Sequence, residues 1–597
     1  MKKGESLWND IVYTDVMQSE GFVVDYAVCT TYSLDMPTLL SVPFMLGSMT
    51  EVSESSMPPP HIILESINRS ADKFVVFCNA GCIAVPQSNS NVYALLEKSI
   101  VQVALGDKGK GFVNFHPKLW VIKESNPQTG ERQIKLVVLS RNLTCSNDLD
   151  VVCELTAKVG KEKVSAEKFL KHKPLVDFLK WLQCKREKAI KDKIDAICKD
   201  IECIEKFDLN DTFVDYSFYP MGINGYNGVD QCLEGSILEG ALQMLVISPF
   251  VDEWCLGKLC SISVASKTLI TRYSSLTAPL MAKYNNESGF KDGIYVPKDV
   301  LTDEEGKDIA VDLHEKVYFV QKRNGCHLYL GSTNATKNGF GRNVEFLLHL
   351  QFAKGRISYD SYRGALINDT SESLFESVTA PPDTVADTKA ADSEQVLRMV
   401  IAAIESASFC QDGDGYNVAI KCKELVLADT VSIYPLGDES KRVSLSCNVE
   451  FKGIALDRLS QFYVIEVGDI KRVIKVETTN MPKDRDDAIF RSVIKENEFF
   501  SYISFMLAEN GEQYLHENQL QGKGLAQWET SGSEPVIYSS LYEDMVQMAY
   551  NNPARIDDIR TVIDRLGADS DVVPVEFKNM YDKFLEAVEK IKKLKKK

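Results

Sequence analysis

The chain has 597 residues, which is too long for a single hydrophobic core, so we expect roughly three to four domains. Its composition, with 44% hydrophobic and 26% charged residues, is that of a water-soluble globular protein. The formal net charge of −17 argues against a surface that is uniformly basic for nucleic acid, although a local basic channel stays compatible with it.

The N-terminus and the cysteines indicate a cellular compartment. The opening residues MKKGESLWNDIVYTD include basic residues but contain no apolar stretch, so we expect no signal peptide. No apolar run approaches the ~20 residues that cross a bilayer, so we expect no membrane span. The 15 cysteines are scattered without a Cys-x-x-Cys pair, which favours buried free thiols over a zinc site. These features predict a cytoplasmic protein.

Two parts of the sequence repeat one order of elements. In 1–157, FVVDYAVCTTYSLDMPTLL predicts a strand leading into a helix, KFVVFCN a second strand, and FHPKLWVI with IKLVVL a hairpin around the turn SNPQTGER. In 236–377, ALQMLVISPFVDEWCLGKLCSI, KTLITRY and LHEKVYFVQKRNGCHLYLG repeat that order about 200 residues later. The repetition predicts two pseudo-symmetric α/β lobes.

The other segments differ in composition. Residues 158–235 are predicted to be a Lys-rich helical insertion between the lobes, since 158–199 holds 13 Lys and Arg against 6 Asp and Glu, a net charge of +7. The acidic stretch 378–394 contains small residues and prolines and predicts a linker. Strand-like runs such as FYVIEV predict a β-rich accessory domain at 395–510, and helical periodicity predicts a helical region at 511–597.

Each lobe carries a His-x-Lys at the start of its hairpin. One such motif is a weak signal in a chain with 7 histidines, but these are the only two, and both precede a Ser-x-Asn-x-Thr. The residues at equivalent places in the two lobes are His116 and His314, Lys118 and Lys316, Ser140 and Ser332, Asn142 and Asn334, Asp148 and Asn343, and Asp150 and Glu345.

The paired motifs suit the chemistry of a phosphodiester. Residues i and i+2 of a strand point to one face, so the His and Lys of each lobe project together. Two facing sets would offer lysines and asparagines to the non-bridging oxygens. One imidazole can attack phosphorus to form a phosphohistidine, while the other protonates the leaving oxygen and then activates water. Because the protein supplies the cations, we expect no metal ion and no cofactor.

Acidic and hydroxyl side chains near the motifs are expected to support this chemistry. Glu345 and Asp150 are placed to orient the imidazoles through their second ring nitrogens, which would fix the tautomers. Ser140, Ser332 and Asn343 lie beside them in the aligned units and complete the predicted site.

These motifs resemble those of the phospholipase D superfamily, over roughly residues 20–370. The second unit, HEK with GSTN and NVE, is close to the family pattern, whereas the first, HPK with SRN and DLD, lacks the Gly. Neither unit has the Asp that many members carry after the Lys, which is closer to the tyrosyl-DNA phosphodiesterase branch and to bacterial phospholipase D-like nucleases. The resemblance implies two α/β lobes that share one site, with His116 as the nucleophile and His314 as the general acid and base.

The leading hypothesis is a metal-independent phosphodiesterase that acts on nucleic acid, DNA rather than RNA, as a nuclease or a DNA-end processing enzyme. The Lys-rich segment 158–199 would then line the path of the nucleic acid. The alternatives are a phospholipase or phosphatidyltransferase, and a catalytically weak scaffold that recruits partners. The presence of all six His, Lys and Asn residues argues against the scaffold.

The arrangement of lobes followed by an appended domain is also similar to that of nuclease components of bacterial antiphage defence loci. That resemblance implies a helicase or another defence protein as a partner.

Overall fold

The structure of the protein is a computed structural model that describes most of the chain. The described residues are 17, 19–46, 60–87, 90–106, 113–145, 148–184, 186–298, 300–302, 308–310, 312–368, 373–378, 380, 388–424, 431–507, 537–551, 553–567 and 572–595. Their fold is mixed α/β with several sheets and with helices at the C-terminal end, as predicted. Residues 381–387 of the predicted linker and 511–536 of the predicted helical region lie outside these ranges.

The first lobe is built on a six-stranded mixed sheet. Its elements are β1 (Val23–Thr31), β2 (Leu34–Asp35), α1 (Met36–Leu46), α2 (Pro60–Ser70), β3 (Phe74–Asn79), β4 (Ile83–Ala84), β5 (Ile100–Val103), β6 (Leu119–Ser125), β7 (Arg132–Leu139) and β8 (Val152–Lys158). The strand order is β5-β3-β1-β6-β7-β8, with β1 parallel to β3 and antiparallel to β6. Strands β3 and β7 are buried on both faces, which explains their nearly continuous apolar sequences.

The segment 158–235, predicted as a helical insertion, holds helices in its first half, then a strand, and the start of a π-helix (Gly228–Leu238) at its end. Helices α3 (Ala166–Leu170), α4 (Lys173–Leu182) and α5 (Lys188–Ile201) are followed by strand β9 (Phe213–Met221). Strand β9 is the edge strand of the second sheet. Its sequence FVDYSFYPM buries alternate residues, which is the pattern of a strand that is covered on one face.

Several lysines of this segment are paired with acidic side chains. The pairs are Lys158 with Glu131, Lys163 with Glu202, Lys168 with Glu205, and Lys171 with Asp215. All four carboxylates lie outside 158–199, so the net charge of +7 is partly compensated within the fold.

The second lobe has an eight-stranded sheet. After the π-helix Gly228–Leu238, its elements are β10 (Ala241–Ile247), α6 (Glu253–Cys260), β11 (Ser266–Ile270), α7 (Ala278–Tyr284), β12 (Ile294–Pro297), β13 (Val300–Thr302), β14 (Asp308–Ala310), β15 (Val317–Lys322), β16 (Gly325–Gly331), α8 (Lys337–Gly341), β17 (Glu345–Phe352), α9 (Tyr359–Leu366) and β18 (Phe375–Ser377). The strand order is β18-β12-β11-β10-β15-β16-β17-β9, with β10 parallel to β11 and antiparallel to β15. The run β12-β11-β10-β15-β16-β17 therefore pairs in the same senses as the run β5-β3-β1-β6-β7-β8.

One hydrophobic core joins the two sheets. It contains Val121 from β6 and Phe319 from β15, both fully buried, so the two predicted hairpins share a core. Helix α4 contributes Phe178, whose ring lies 5.3 Å from that of Phe346 in β17. Helix α4 therefore contacts both lobes, since its Trp181 ring also stacks on that of Phe115, the residue before His116, at 6.1 Å.

The C-terminal region contains two further sheets and a set of helices. Its elements are α10 (Thr388–Ala403), β19 (Ile404–Asp412), β20 (Gly415–Cys422), β21 (Val431–Pro435), β22 (Val443–Ser444), β23 (Asn448–Ile454), β24 (Phe462–Val467), β25 (Ile470–Lys475), β26 (Thr478–Thr479), α11 (Arg485–Val493), α12 (Glu496–Leu507), α13 (Ile537–Asn551), α14 (Pro553–Leu566) and α15 (Val575–Lys595). The β-rich character predicted for 395–510 is present, but helices α11 and α12 occupy its last part.

The accessory region continues the first lobe instead of standing apart from it. One of its sheets has the order β2-β4-β25-β24-β21-β22 and so includes two short strands of the first lobe. Helix α10 begins at Thr388, inside the stretch 378–394 that was predicted as a linker. The helix starts six residues after Pro382, and its first residues, TKAADSE, are mostly small or polar, so the composition of this stretch does not indicate it.

None of the described helices is both long and apolar enough to cross a membrane.

Candidate active site

The two His-x-Lys motifs lie just before strands β6 and β15, at matching places in the two lobes. Their backbones pair across the lobes. His116 N donates to Val344 O at 2.9 Å, and His314 N donates to Leu149 O at 3.0 Å. Val344 and Leu149 directly precede Glu345 and Asp150, respectively, so each histidine is brought next to the acidic residue of the opposite lobe.

The His116 imidazole is held by a fully buried carboxylate from the second lobe. His116 Nδ1 lies 2.9 Å from Glu345 Oε2, and the Glu345 side chain is 0% exposed. Ser332 Oγ donates to the same carboxylate oxygen at 2.5 Å, and Asn343 Nδ2 donates to its other oxygen at 3.1 Å. The structure thus brings four of the predicted site residues together, and the carboxylate is fixed before it meets the imidazole.

The His314 imidazole is held in a related but looser way by the first lobe. His314 Nδ1 lies 2.9 Å from the backbone oxygen of Ser140 and 3.6 Å from Asp150 Oδ1. Ser140 Oγ in turn donates to Asp150 Oδ1 at 2.7 Å. The two halves are therefore similar in layout but not equal, because a carboxylate contacts His116 directly whereas a carbonyl is the nearer partner of His314.

The two lysines are buried beside their own histidines. Lys118 Nζ lies 2.9 Å from His116 Nε2 and donates to His116 O at 3.1 Å, while Lys316 Nζ donates to His314 O at 2.5 Å. With Nδ1–H donating to Glu345, the Nε2 of His116 carries the lone pair, which is the form an attacking imidazole needs.

Burial sets the proton affinities of the site. The pKa values of His116 and His314 are both lowered to about 4, chiefly by desolvation and further by both lysines. The pKa of Lys316 is lowered to about 7, again chiefly by desolvation. Burial and the nearby Lys316 also hold the pKa of Lys118 well below its usual range. The resting site therefore favours neutral imidazoles and gains positive charge most readily when an anion enters.

The motif asparagines follow the serines on the ends of β7 and β16. The Oδ1 atom of Asn334 is buried and accepts no hydrogen bond from the part of the chain that the structure describes. The next residue, Ala335, donates its backbone N–H to Ser248 Oγ at 2.9 Å, which ties the end of the motif to the loop after β10. Thr336 then caps helix α8 through Gly339 N.

The Gly of the second motif has a steric reason that the first motif lacks. Gly331 has a φ of +146°, and a Cβ built there would lie 2.3 Å from Phe346 O. In the first lobe the corresponding residue is Leu139, which pairs with Val152 as an ordinary strand residue. The missing Gly of the Ser-Arg-Asn motif is thus a local difference in backbone approach.

Two aromatic residues and two arginines lie near the site but were not predicted from the sequence. The Tyr32 ring lies 5.1 Å from the His116 ring, and Lys118 Nζ lies 5.9 Å from the Tyr32 ring centre. Arg272 Nε donates to Leu313 O at 3.0 Å, next to His314, and the guanidinium lies 4.8 Å from the Phe250 ring centre. Tyr32 follows β1 and Phe250 follows β10, which are equivalent strands of the two lobes. This repetition is the sequence signal from which the two aromatic residues could have been predicted.

The second arginine that was not predicted is Arg398 of helix α10, which contacts Asn114, two positions before His116. Nothing in the sequence signals this contact, since the two residues are 284 positions apart. Among the described residues, no three His, Cys, Asp or Glu side chains are gathered in a way that could hold a metal ion.

Comparison with known proteins gives structural neighbours only. No family model matches the sequence, and no curated protein matches it. Yeast tyrosyl-DNA phosphodiesterase is similar with a TM-score of 0.38 and 12% identity, covering 58% of this chain and 87% of that chain. The phosphatidylserine synthase of Haemophilus influenzae Rd KW20 is similar with a TM-score of 0.34 and 9% identity, covering 65% and 88%. The polyphosphate kinase of Porphyromonas gingivalis is similar with a TM-score of 0.30 and 12% identity, covering 56% and 44%. All three belong to the phospholipase D superfamily.

Proposed function

We propose that the protein is a metal-independent phosphodiesterase of the phospholipase D type, with two pseudo-symmetric lobes that share one site and cleave nucleic acid. The observation that carries this proposal is the reciprocal anchoring of the two His-x-Lys motifs. His116 is held by Glu345 of the second lobe, and His314 lies against Ser140 and Asp150 of the first. Two buried lysines accompany them, so imidazoles and cations converge where the lobes meet.

The first step is attack of His116 Nε2 on phosphorus. The new P–N bond forms as the bond to the leaving oxygen breaks, and His314 gives that oxygen a proton. The anionic phosphodiester favours the protonated forms of His314, Lys118 and Lys316, which are disfavoured in the empty site. Glu345 stabilises the positive charge that His116 acquires during the attack.

The second step releases the phosphohistidine. His314, now neutral, accepts a proton from water, and the resulting hydroxide attacks phosphorus as the P–N bond breaks. His116 leaves as a neutral imidazole held by Glu345, and His314 regains its acid form. The lysines and the Asn142 and Asn334 amides would bind the non-bridging oxygens in both steps.

Nucleic acid is favoured over lipid by the rim of the site. Phe250 is 46% exposed and Tyr273 is 45% exposed, on the loops after β10 and β11. The Phe250 ring lies against Arg272, whose backbone contact is next to His314. An exposed ring paired with a guanidinium is a surface on which a base can stack while the arginine attracts the phosphate chain.

The proposal is tested by cleavage of labelled single- and double-stranded DNA by the full chain in the presence of EDTA. We expect cleavage that survives EDTA and a covalent protein–DNA adduct, both of which are lost in His116→Ala. His61→Gln is the matched loss of a histidine outside the site and should retain activity, since His61 contacts Ser501 of the C-terminal helices. Turnover of phosphatidylcholine vesicles without cleavage of DNA would overturn the nucleic-acid assignment.

A role in antiphage defence with a helicase partner stays a hypothesis that rests on the sequence resemblance. The domain boundaries at 157, 235, 377, 394 and 510 likewise stay predictions.

A further inference from the structure

Helix α10 belongs to the accessory region but lies against the first lobe beside His116. Its residues Leu397 and Val400 are fully buried in the core of the accessory sheets. The neighbouring face carries Glu394, Arg398 and Ile401 at helical spacing, and Ile401 also packs against the edge of that core. The Ile401 side chain fills the space beside Gly81, where a Cβ would lie 2.0 Å from Ile401 Cδ1. Helix α10 therefore packs against both the accessory sheets and the first lobe.

Arg398 connects helix α10 to Asn114, two positions before His116. Its Nη1 donates to Asn114 Oδ1 at 2.8 Å, and its Nε lies 3.4 Å from Glu394 Oε1. The ring of Tyr32 lies beside His116, and burial chiefly raises the pKa of its hydroxyl, with Cys82 adding to the rise. The charges of Arg398 and Glu394 have smaller effects on the same hydroxyl: Arg398 lowers its pKa and Glu394 raises it. Arg398 is 19% exposed, so this contact is largely shielded from water.

From Asn114 the hydrogen bonds continue to the histidine. The backbone N–H of Asn114 donates to Asn343 Oδ1 at 3.1 Å, and Asn343 Nδ2 donates to Glu345 Oε1 at 3.1 Å. Glu345 then meets His116 through its other oxygen at 2.9 Å. The same Asn114–His116 stretch is also fixed by Phe115 N, which donates to Asn79 Oδ1 at 2.9 Å.

We propose that Arg398 is a positioning residue, through which helix α10 of the accessory region sets the geometry of the His116–Glu345 pair. The proposal rests on the function proposed above, since it assigns Arg398 a role in forming the phosphohistidine. It also assigns the accessory region a part in the active site, in addition to any partner that it recruits. Arg398 acts through Asn114 and does not itself contact the reacting atoms.

The test compares Arg398→Gln, Arg398→Lys and Met399→Ala in the full chain. Met399 is on the same helix but exposed, so Met399→Ala serves as the matched control. In single-turnover cleavage of labelled DNA, we expect Arg398→Gln to slow adduct formation roughly 10-fold with KM changed less than about 2-fold, because the nucleophile is displaced and the binding groups are kept. Arg398→Lys should restore part of the rate, and Met399→Ala should match the unsubstituted protein.

A second readout separates positioning from a merely structural effect. In protein labelled with ¹⁵N-histidine, the Nδ1–H resonance of His116 reports its bond to Glu345 directly. We expect Arg398→Gln and Asn114→Ala to shift this resonance to a similar extent. The double variant should add little to either shift, since both substitutions remove the same hydrogen bond between Arg398 and Asn114. A rate within about 2-fold of the unsubstituted protein together with an unshifted resonance in Arg398→Gln would overturn the proposal.

Failure of the proposed function is distinguishable from failure of this inference. If the unsubstituted protein cleaves no DNA and forms no adduct, the assigned activity is wrong. The His116 resonance still decides whether Arg398 controls the pair, because it is measured without substrate.

Discussion

At the residue scale, the two halves of the site differ in how they hold their histidines. Glu345 is fully buried and contacts His116 at 2.9 Å, whereas Asp150 lies 3.6 Å from His314 and a carbonyl is closer. A directly bound carboxylate both selects the tautomer and stabilises the charged imidazole, whereas a carbonyl selects the tautomer with less charge stabilisation. The activity of the nucleophile His116 should therefore depend on Glu345 more strongly than the activity of the general acid and base His314 depends on Asp150.

This difference gives a paired prediction for Glu345→Gln and Asp150→Asn. Both substitutions keep the side-chain shape and remove the charge. We expect Glu345→Gln to lower the rate of DNA cleavage by about 10²-fold or more, and Asp150→Asn by about 10-fold, since Ser140 O still orients His314. Steady-state rates at saturating DNA provide the measurement, with circular dichroism to verify folding. Equal losses in the two variants would contradict the proposed asymmetry.

At the element scale, the hairpin β15–β16 and its neighbour β17 carry a second set of buried histidines away from the motifs. His327 on β16 and His349 on β17 stack with ring centres 5.1 Å apart, and their Nδ1 and Nε2 atoms lie 2.8 Å apart. Burial lowers the pKa of His327 to about 4 and that of His349 to about 3. Nearby positive charges disfavour the protonated form of each ring further. The pair is therefore neutral in the native sheet near neutral pH.

This pair predicts a loss of stability as the pH falls. In the unfolded chain a histidine takes up its proton near pH 6.5, while the native pair does not until about pH 4, so the unfolded state binds more protons between these values. The free energy of unfolding should thus be highest above pH 6.5 and fall toward pH 4. Replacing His349 with Gln removes one such group and should reduce the slope by up to about 1.4 kcal/mol per pH unit. Urea unfolding at several pH values measures this, and identical slopes in the two proteins would refute it.

At the scale of the whole molecule, the sequence predicts what depends on local pattern. The strand, helix and hairpin order of both lobes is readable because each hairpin has its own turn chemistry and apolar alternation. Aligning the two copies of the motif indicates that Glu345 and Asp150 lie at equivalent places near the imidazoles, but only the structure shows that each lies against the histidine of the other lobe. Contacts between distant elements carry no such signal, so the pairing of β2 and β4 with β25, the place of β9 in the second sheet, and the contact from Arg398 to Asn114 emerge only from the folded chain.

The same long-range contacts predict that the first lobe and the C-terminal region unfold together. Glu97 in the first lobe is buried and receives Arg485 Nη1 at 2.6 Å, Ser460 Oγ at 2.9 Å and Gln461 N at 2.6 Å. Both side chains of the Glu97–Arg485 pair are 4% exposed. Removing one partner of such a pair leaves the other buried without compensation, so Glu97→Gln should cost about 3–5 kcal/mol.

Hydrogen exchange shows whether this loss is shared between the two regions. In Glu97→Gln, we expect peptides that cover β4 in the first lobe and β24–β25 in the C-terminal region to lose protection to the same extent, because one sheet contains all three strands. The neighbouring Lys98 pairs with Asp486 but is 74% exposed, so Lys98→Ala should cost less than about 1 kcal/mol and leave both regions protected. Loss of protection confined to β24–β25 would show instead that the C-terminal region is an independent module, which its shared sheet with the first lobe argues against.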